Sequence, residues 1–147
     1  MKRMLWTILI MATGATLSSP LYPLYQEQFH LSSLEITLLF AVYAVFLLPT
    51  LLIAGPVANV RGLKKVTLSG VAASIVSAIL FMAGNQAWTL YLARIFEGIG
   101  FGTFMGTATT FLLQQTPKAR AVKALPLSSM AVMLGFGLGP AISGFFL

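Results

Sequence analysis

Residues 88–113 read WTLYLARIFEGIGFGTFMGTATTFLL, an apolar run interrupted by charge only at Arg94 and Glu97. A membrane-spanning helix needs about 20 mostly apolar residues, and this stretch is longer than that. Continuous apolar character over such a length favours a helix, and the run shows none of the period-two alternation of a barrel strand. Arg94 lies about six residues inside the block, or roughly 9 Å deep at 1.5 Å per residue. A charge held near the centre of a membrane costs several kcal/mol, so it is rarely there without purpose. Glu97 follows at a spacing of three, close enough on a helix to pair with it. A structural salt bridge or an outward-reaching arginine would satisfy the spacing. So would a switch in which Glu97 takes and gives up a proton while Arg94 is bound and freed.

Four more blocks of the same kind flank this one, giving helices expected at about Leu5–Tyr25, Ser33–Val57, Val66–Ala83, Trp88–Leu113 and Leu125–Leu147. Hydrophobic residues make up 58% of the chain and charged residues 8%. Soluble domains carry roughly 25% charged residues, so there is too little polar surface here to clothe a water-soluble globule. The fold class expected is all-α, a polytopic bundle of five membrane helices. Lys2 and Arg3 followed by an apolar core imitate a secretory leader, but the block runs on past the length of such a core. It reads as an uncleaved first helix. Ser32 or Ser33 is the expected N-cap of the second block, with Glu35 in its first turn.

The formal net charge is +6. The bases sit in connectors: Lys2 and Arg3 before the first block, Arg61, Lys64 and Lys65 between the second and third, and Lys118, Arg120 and Lys123 between the fourth and fifth. The alternate connectors hold Glu27 and His30, then the uncharged Gly84, Asn85 and Gln86. Apart from Arg94, every base lies on one side, which the positive-inside rule makes the cytoplasm, with the N-terminus inside. Trp6, Tyr25 and Trp88 stand near expected helix ends, where interfacial aromatic residues sit. Such placement suits anionic lipid headgroups and excludes nucleic acid as a partner. There is no cysteine, so disulfides, thiolate metal sites and thiol catalysis are excluded. His30 is a lone histidine, Glu27 and Glu35 read as solvated, and nothing resembles a phosphate-binding loop or a catalytic triad. No metal, no cofactor and no enzymatic activity are expected.

Small residues recur at a spacing of four: Gly70, Ser74 and Ala78, then Gly98, Gly102 and Gly106, then Gly135, Gly139 and Ser143. Each set lies along one helical face and lets backbones approach closely, as helix packing in lipid favours. Four local patterns accompany them. Gly14 precedes Pro20-Leu21-Tyr22-Pro23 in the first block, where two prolines remove backbone donors and are expected to bend the helix. Gly55-Pro56-Val57-Ala58-Asn59-Val60-Arg61-Gly62-Leu63-Lys64-Lys65 fills the second connector. Arg94-Ile95-Phe96-Glu97-Gly98-Ile99-Gly100 lies in the fourth block, and Gly135, Gly139-Pro140 and Ser143-Gly144 mark the fifth.

In this order the four patterns resemble the major facilitator superfamily, and most of all its twelve-helix drug:proton antiporters. The likeness covers the whole chain. It implies a helix 1 motif at Gly14, Pro20 and Pro23. It also implies a cytoplasmic gating loop at Gly55, Asn59, Arg61, Gly62 and Lys64. Asn59 replaces the family's acidic residue there, and an uncharged amide makes a weaker latch than a carboxylate. Arg94 falls on the family arginine associated with proton transfer, making Arg94 and Glu97 the candidates for proton coupling. Gly135, Gly139, Pro140 and Gly144 match the antiporter-type motif, with Ser143 departing from it. In the family that motif marks exporters and seals the cavity against leak.

The resemblance thus implies a secondary transporter of small, amphipathic molecules, driven by protons and working in efflux across a plasma or inner membrane. An uptake or sugar-efflux carrier, and a non-transporting membrane scaffold, are the alternatives. The family fold pairs two six-helix halves of inverted three-helix repeats. On that basis the chain is expected to be an N-terminal fragment. Its expected partners are membrane lipid, the missing C-terminal half and, in the full-length protein, a small-molecule substrate and the proton.

Overall fold

The computed structural model describes residues 2–146, and among them there is no strand. The first span is α1 (Lys2–Leu17), a 3-10 turn (Ser19–Leu21) and α2 (Tyr22–Phe29). The others are α3 (Ser33–Arg61), α4 (Leu63–Ala83), α5 (Ala87–Gln114) and α6 (Lys118–Phe145). Leu147, the expected end of the last helix, lies outside the described residues.

The first span is broken rather than bent. Pro20 stands at the start of the 3-10 turn and Pro23 at the start of α2. A proline is tolerated in the first turn of a helix because its missing N–H has no partner there, so each proline begins a new segment. α2 ends at His30, whose φ of 52° is left-handed. Ser32 then caps α3: its Oγ accepts from the Glu35 N–H at 3.3 Å, and its own N–H donates to Glu35 Oε2 at 2.7 Å. This reciprocal box satisfies two donors at the start of α3.

The connector expected at 58–65 is largely helical. α3 continues through Pro49 and Pro56 to Arg61, and α4 begins at Leu63. Polar residues do not end a helix by themselves. Here Gly62 does, at a φ of 93° that a side chain would strain. Gly55, Asn59 and Arg61 are therefore residues of α3, Lys64 belongs to α4, and the expected gating loop shrinks to Gly62 alone. In the same way Lys118, Arg120 and Lys123 form the first turns of α6 rather than a loop.

α5 sits at the centre. It packs on α3 and α4, α1 pairs with α6, and the two groups meet where α1 and α6 touch α5. One apolar cluster joins Ile8 of α1, Phe104 and Leu112 of α5, and Ala124 and Ala131 of α6. A second joins Tyr22, Leu31, Leu39 and Leu90. Among the described residues four spans are long and apolar enough to cross a membrane, with the first counted as Lys2–Phe29. α5 is not among them. Its threonines, glycines and charges lower its hydropathy, and its neighbours rather than lipid cover those groups.

The small faces explain the close packing. A Cβ added at Gly98, Gly102 or Gly106 would fall 2.6 Å from the carbonyl oxygen of Tyr43, Leu47 or Leu51, one turn of α3 after another. Carbon cannot approach oxygen so closely, so α3 and α5 touch backbone to backbone. Gly135 and Gly139 meet α1 in the same manner, 2.7 Å from the carbonyl oxygens of Leu9 and Thr13. Between α4 and α5 hydroxyls add hydrogen bonds. Ser77 donates to the Ala93 carbonyl at 2.7 Å, and Thr67 to Thr107 Oγ1 at 2.9 Å.

Candidate functional site

Arg94 and Glu97 project from one face of α5, and Arg94 Nη1 donates to Glu97 Oε2. They form the one salt bridge among the described residues, and both side chains are buried, Arg94 at 2% exposure. The pair adjoins the Gly98 contact with α3, so the helix that carries it is held rigidly against its neighbour. A buried pair of this kind retains its shape only where further groups satisfy what remains of each charge.

Aromatic rings supply that at Arg94. The guanidinium carbon lies 4.9 Å from the ring centre of Tyr22, 5.4 Å from Tyr43, and 5.5 Å from Phe40 and from Phe81. These rings come from α2, α3 and α4, so each of these elements contributes a face. A cation within about 6 Å of a ring centre is attracted by the ring's negative face. Among the described residues Arg94 Nε and Nη2 have no hydrogen-bond partner, nor do the buried Tyr22 hydroxyl and Ser18 Oγ.

Glu97 also lines a cavity of about 450 Å³ between the broken first span, α4 and α5. Ser18, Tyr25, Ser74, Phe81 and Phe101 are among its walls, and Glu97 is the one charged residue lining it. A volume of a few hundred Å³ with apolar walls and few polar groups suits a small organic ligand. The break at Ser19–Leu21 places Leu21 and Ser18 on that wall, and Gly14 leaves space there, since an added Cβ would meet nothing within 4 Å.

The residues singled out in the sequence fall into three places. Arg94, Glu97 and Gly14 meet at or beside the cavity. Pro20 and Pro23 shape its wall by breaking the first span. Asn59, Arg61, Gly62 and Lys64 lie at the α3–α4 junction, away from it, and Gly55 lies earlier in α3 facing Gly106 of α5. Gly135 and Gly139 are buried against α1, while Pro140 and Gly144 are exposed on α6. Sequence reasoning missed Phe40, Tyr43 and Phe81 around Arg94. Phe40 and Tyr43 carry a faint signal, an aromatic pair at a spacing of three, but Phe81 is one apolar residue among many.

Residues 4–147 match the family model described as Major Facilitator Superfamily. Among curated proteins the chain is 28% identical to Multidrug resistance protein 2 and 30% identical to Multidrug resistance protein 1, both of Bacillus subtilis. These alignments cover 97% of this chain and 36% of each relative. It is 27% identical to Quinolone resistance protein NorA of Staphylococcus aureus, over 95% of this chain and 36% of that protein. The chain therefore spans 36% of the length of the relatives it matches.

Proposed function

Because this chain belongs to the major facilitator superfamily, a family of integral membrane transporters, we propose that it forms part of a proton-coupled exporter of small, amphipathic molecules. The observation that carries this reading is the buried Arg94–Glu97 pair with its carboxylate on the wall of an apolar cavity. A carboxylate at that depth is stable while Arg94 balances it. A proton, or the positive end of an amphipathic ligand, competes with Arg94 for the same oxygens. Taking up one and releasing the other at a single carboxylate is the elementary step of exchange. The names of the relatives, multidrug and quinolone resistance, support export as the direction. The cavity walls are mostly apolar, which favours an amphipathic ligand over a sugar. Alternating access in this family requires two halves rocking about a central site, so the helices of the second half are the working partners of this one.

Efflux measured against external pH in the full-length protein tests the proposal. Glu97→Gln keeps the size and most hydrogen bonding of the side chain without the titrating group. Binding of a cationic ligand is expected to weaken and pH-driven efflux to disappear. The same pH dependence in both proteins would make Glu97 a structural residue and move coupling elsewhere.

The one-sided bases further support a cytoplasmic N-terminus and a cytoplasmic α3–α4 junction, in a plasma or inner membrane. Reporter fusions after Leu31, Lys65, Gln86 and Arg120 are expected to report outside, inside, outside and inside. A cytoplasmic signal after Gln86 would overturn that orientation.

A further inference from the structure

The surroundings of Arg94 hold more rings than a simple ion pair requires. Only one of its nitrogens meets a carboxylate, and Nε and Nη2 find no acceptor among the described residues. A desolvated cation left this way is costly unless something else attracts it. The faces of Tyr22, Phe40, Tyr43 and Phe81 are what the structure provides, at 4.9–5.5 Å. The titratable groups that face the guanidinium are Tyr22 from α2, Tyr43 from α3 and Glu97 from its own helix, while α4 contributes Phe81.

We propose that these four rings form a cage that keeps the Arg94 guanidinium in place when Glu97 gives up its charge to a proton or a bound cation. The proposal rests on the exchange at Glu97 put forward above. A second carboxylate in place of the rings would hold the arginine equally well, but it would also take up the proton or the ligand meant for Glu97. Rings attract a cation through a fixed quadrupole and leave the exchange to one group. The four residues are thus positioning residues. Arg94 remains available to draw the proton or ligand off Glu97 again because it has not moved.

A double-mutant cycle on the full-length protein tests this. Thermal unfolding would be compared for wild type, Phe81→Leu, Glu97→Gln and the double variant. Phe81→Leu also loses packing against Tyr25, whose ring is stacked on Phe81, but that loss is equal in both backgrounds and cancels. With Glu97 charged, the carboxylate supports Arg94 alongside the rings, and removal of one ring is expected to cost little. In the Glu97→Gln background, the same change is expected to lower the melting temperature by ~3 °C beyond the sum of the single changes. Phe81→Tyr, which keeps the ring, is expected to show no excess loss. Strict additivity would overturn the cage. If the Phe81 double variant does not fold, Phe40→Leu in the same two backgrounds decides by the same criterion, since Phe40 is 45% exposed and carries little core packing. The readout does not depend on transport. An additive cycle in a protein with pH-dependent efflux removes the cage alone, and a non-additive cycle in a protein without efflux removes the exporter reading alone.

Discussion

Arg94→Leu is expected to lower the stability of the folded chain by about 3–5 kcal/mol, the usual loss when one member of a buried ion pair is removed. Glu97 would be left buried, beside a cavity with few polar groups and without its counter-charge. The loss belongs to the stranded carboxylate rather than to the missing arginine. Adding Glu97→Leu to Arg94→Leu should therefore recover most of the stability, because an apolar pair of similar volume often replaces a buried salt bridge at little cost. Folded yield in membranes and the unfolding temperature measure both variants. Failure of the second substitution to restore either would show that Arg94 stabilises the bundle through its rings more than through Glu97.

Gly102→Leu is expected to prevent α3 and α5 from meeting at all. A single added Cβ would already lie 2.6 Å from the Leu47 carbonyl oxygen and 3.2 Å from the Leu51 nitrogen. Backbone atoms cannot move aside as a side-chain tip can, so the helices must part and the contacts at Gly98 and Gly106 part with them. Overpacking of this kind costs ~1–3 kcal/mol at ordinary core sites and more where backbone is the obstacle. Gly137→Leu is the matched control: it has the same residue types, but its added Cβ would meet nothing within 4 Å. Yield by size-exclusion chromatography should collapse for the first and hold for the second. Equal yields would mean that α3 and α5 do not rely on this contact.

The spans and the paired charges were legible in the sequence because each rests on a local signal. Apolar length identifies a span, and the three-residue spacing of Arg94 and Glu97 places both on one face. The glycine spacing also announced which faces pack tightly, and Gly98, Gly102 and Gly106 do so against α3. What those faces pack against was not legible, since a hydrophobic residue looks the same whether it meets lipid or another helix. That is why the centrality of α5 emerges only from the structure. Helix ends were misread for a related reason. Arg61 and Lys118 signal water, but a helix can run on into water, and only Gly62 carried the information that stops one. The rings around Arg94 come from elements distant in the chain, so no spacing rule links them.

The helices differ in length in a way that matters for the bilayer itself. α3 has 29 residues, about 43 Å at 1.5 Å per residue, whereas α4 has 21, about 31 Å. The hydrocarbon layer is about 30 Å thick. α3 can answer a thicker bilayer by standing more upright, while α4 has no length in reserve. The two are joined at Gly62 with no slack between them. A thicker bilayer would therefore strain α4 before α3, and α4 is the helix whose Thr67 and Ser77 hydroxyls bond to α5, the carrier of Arg94.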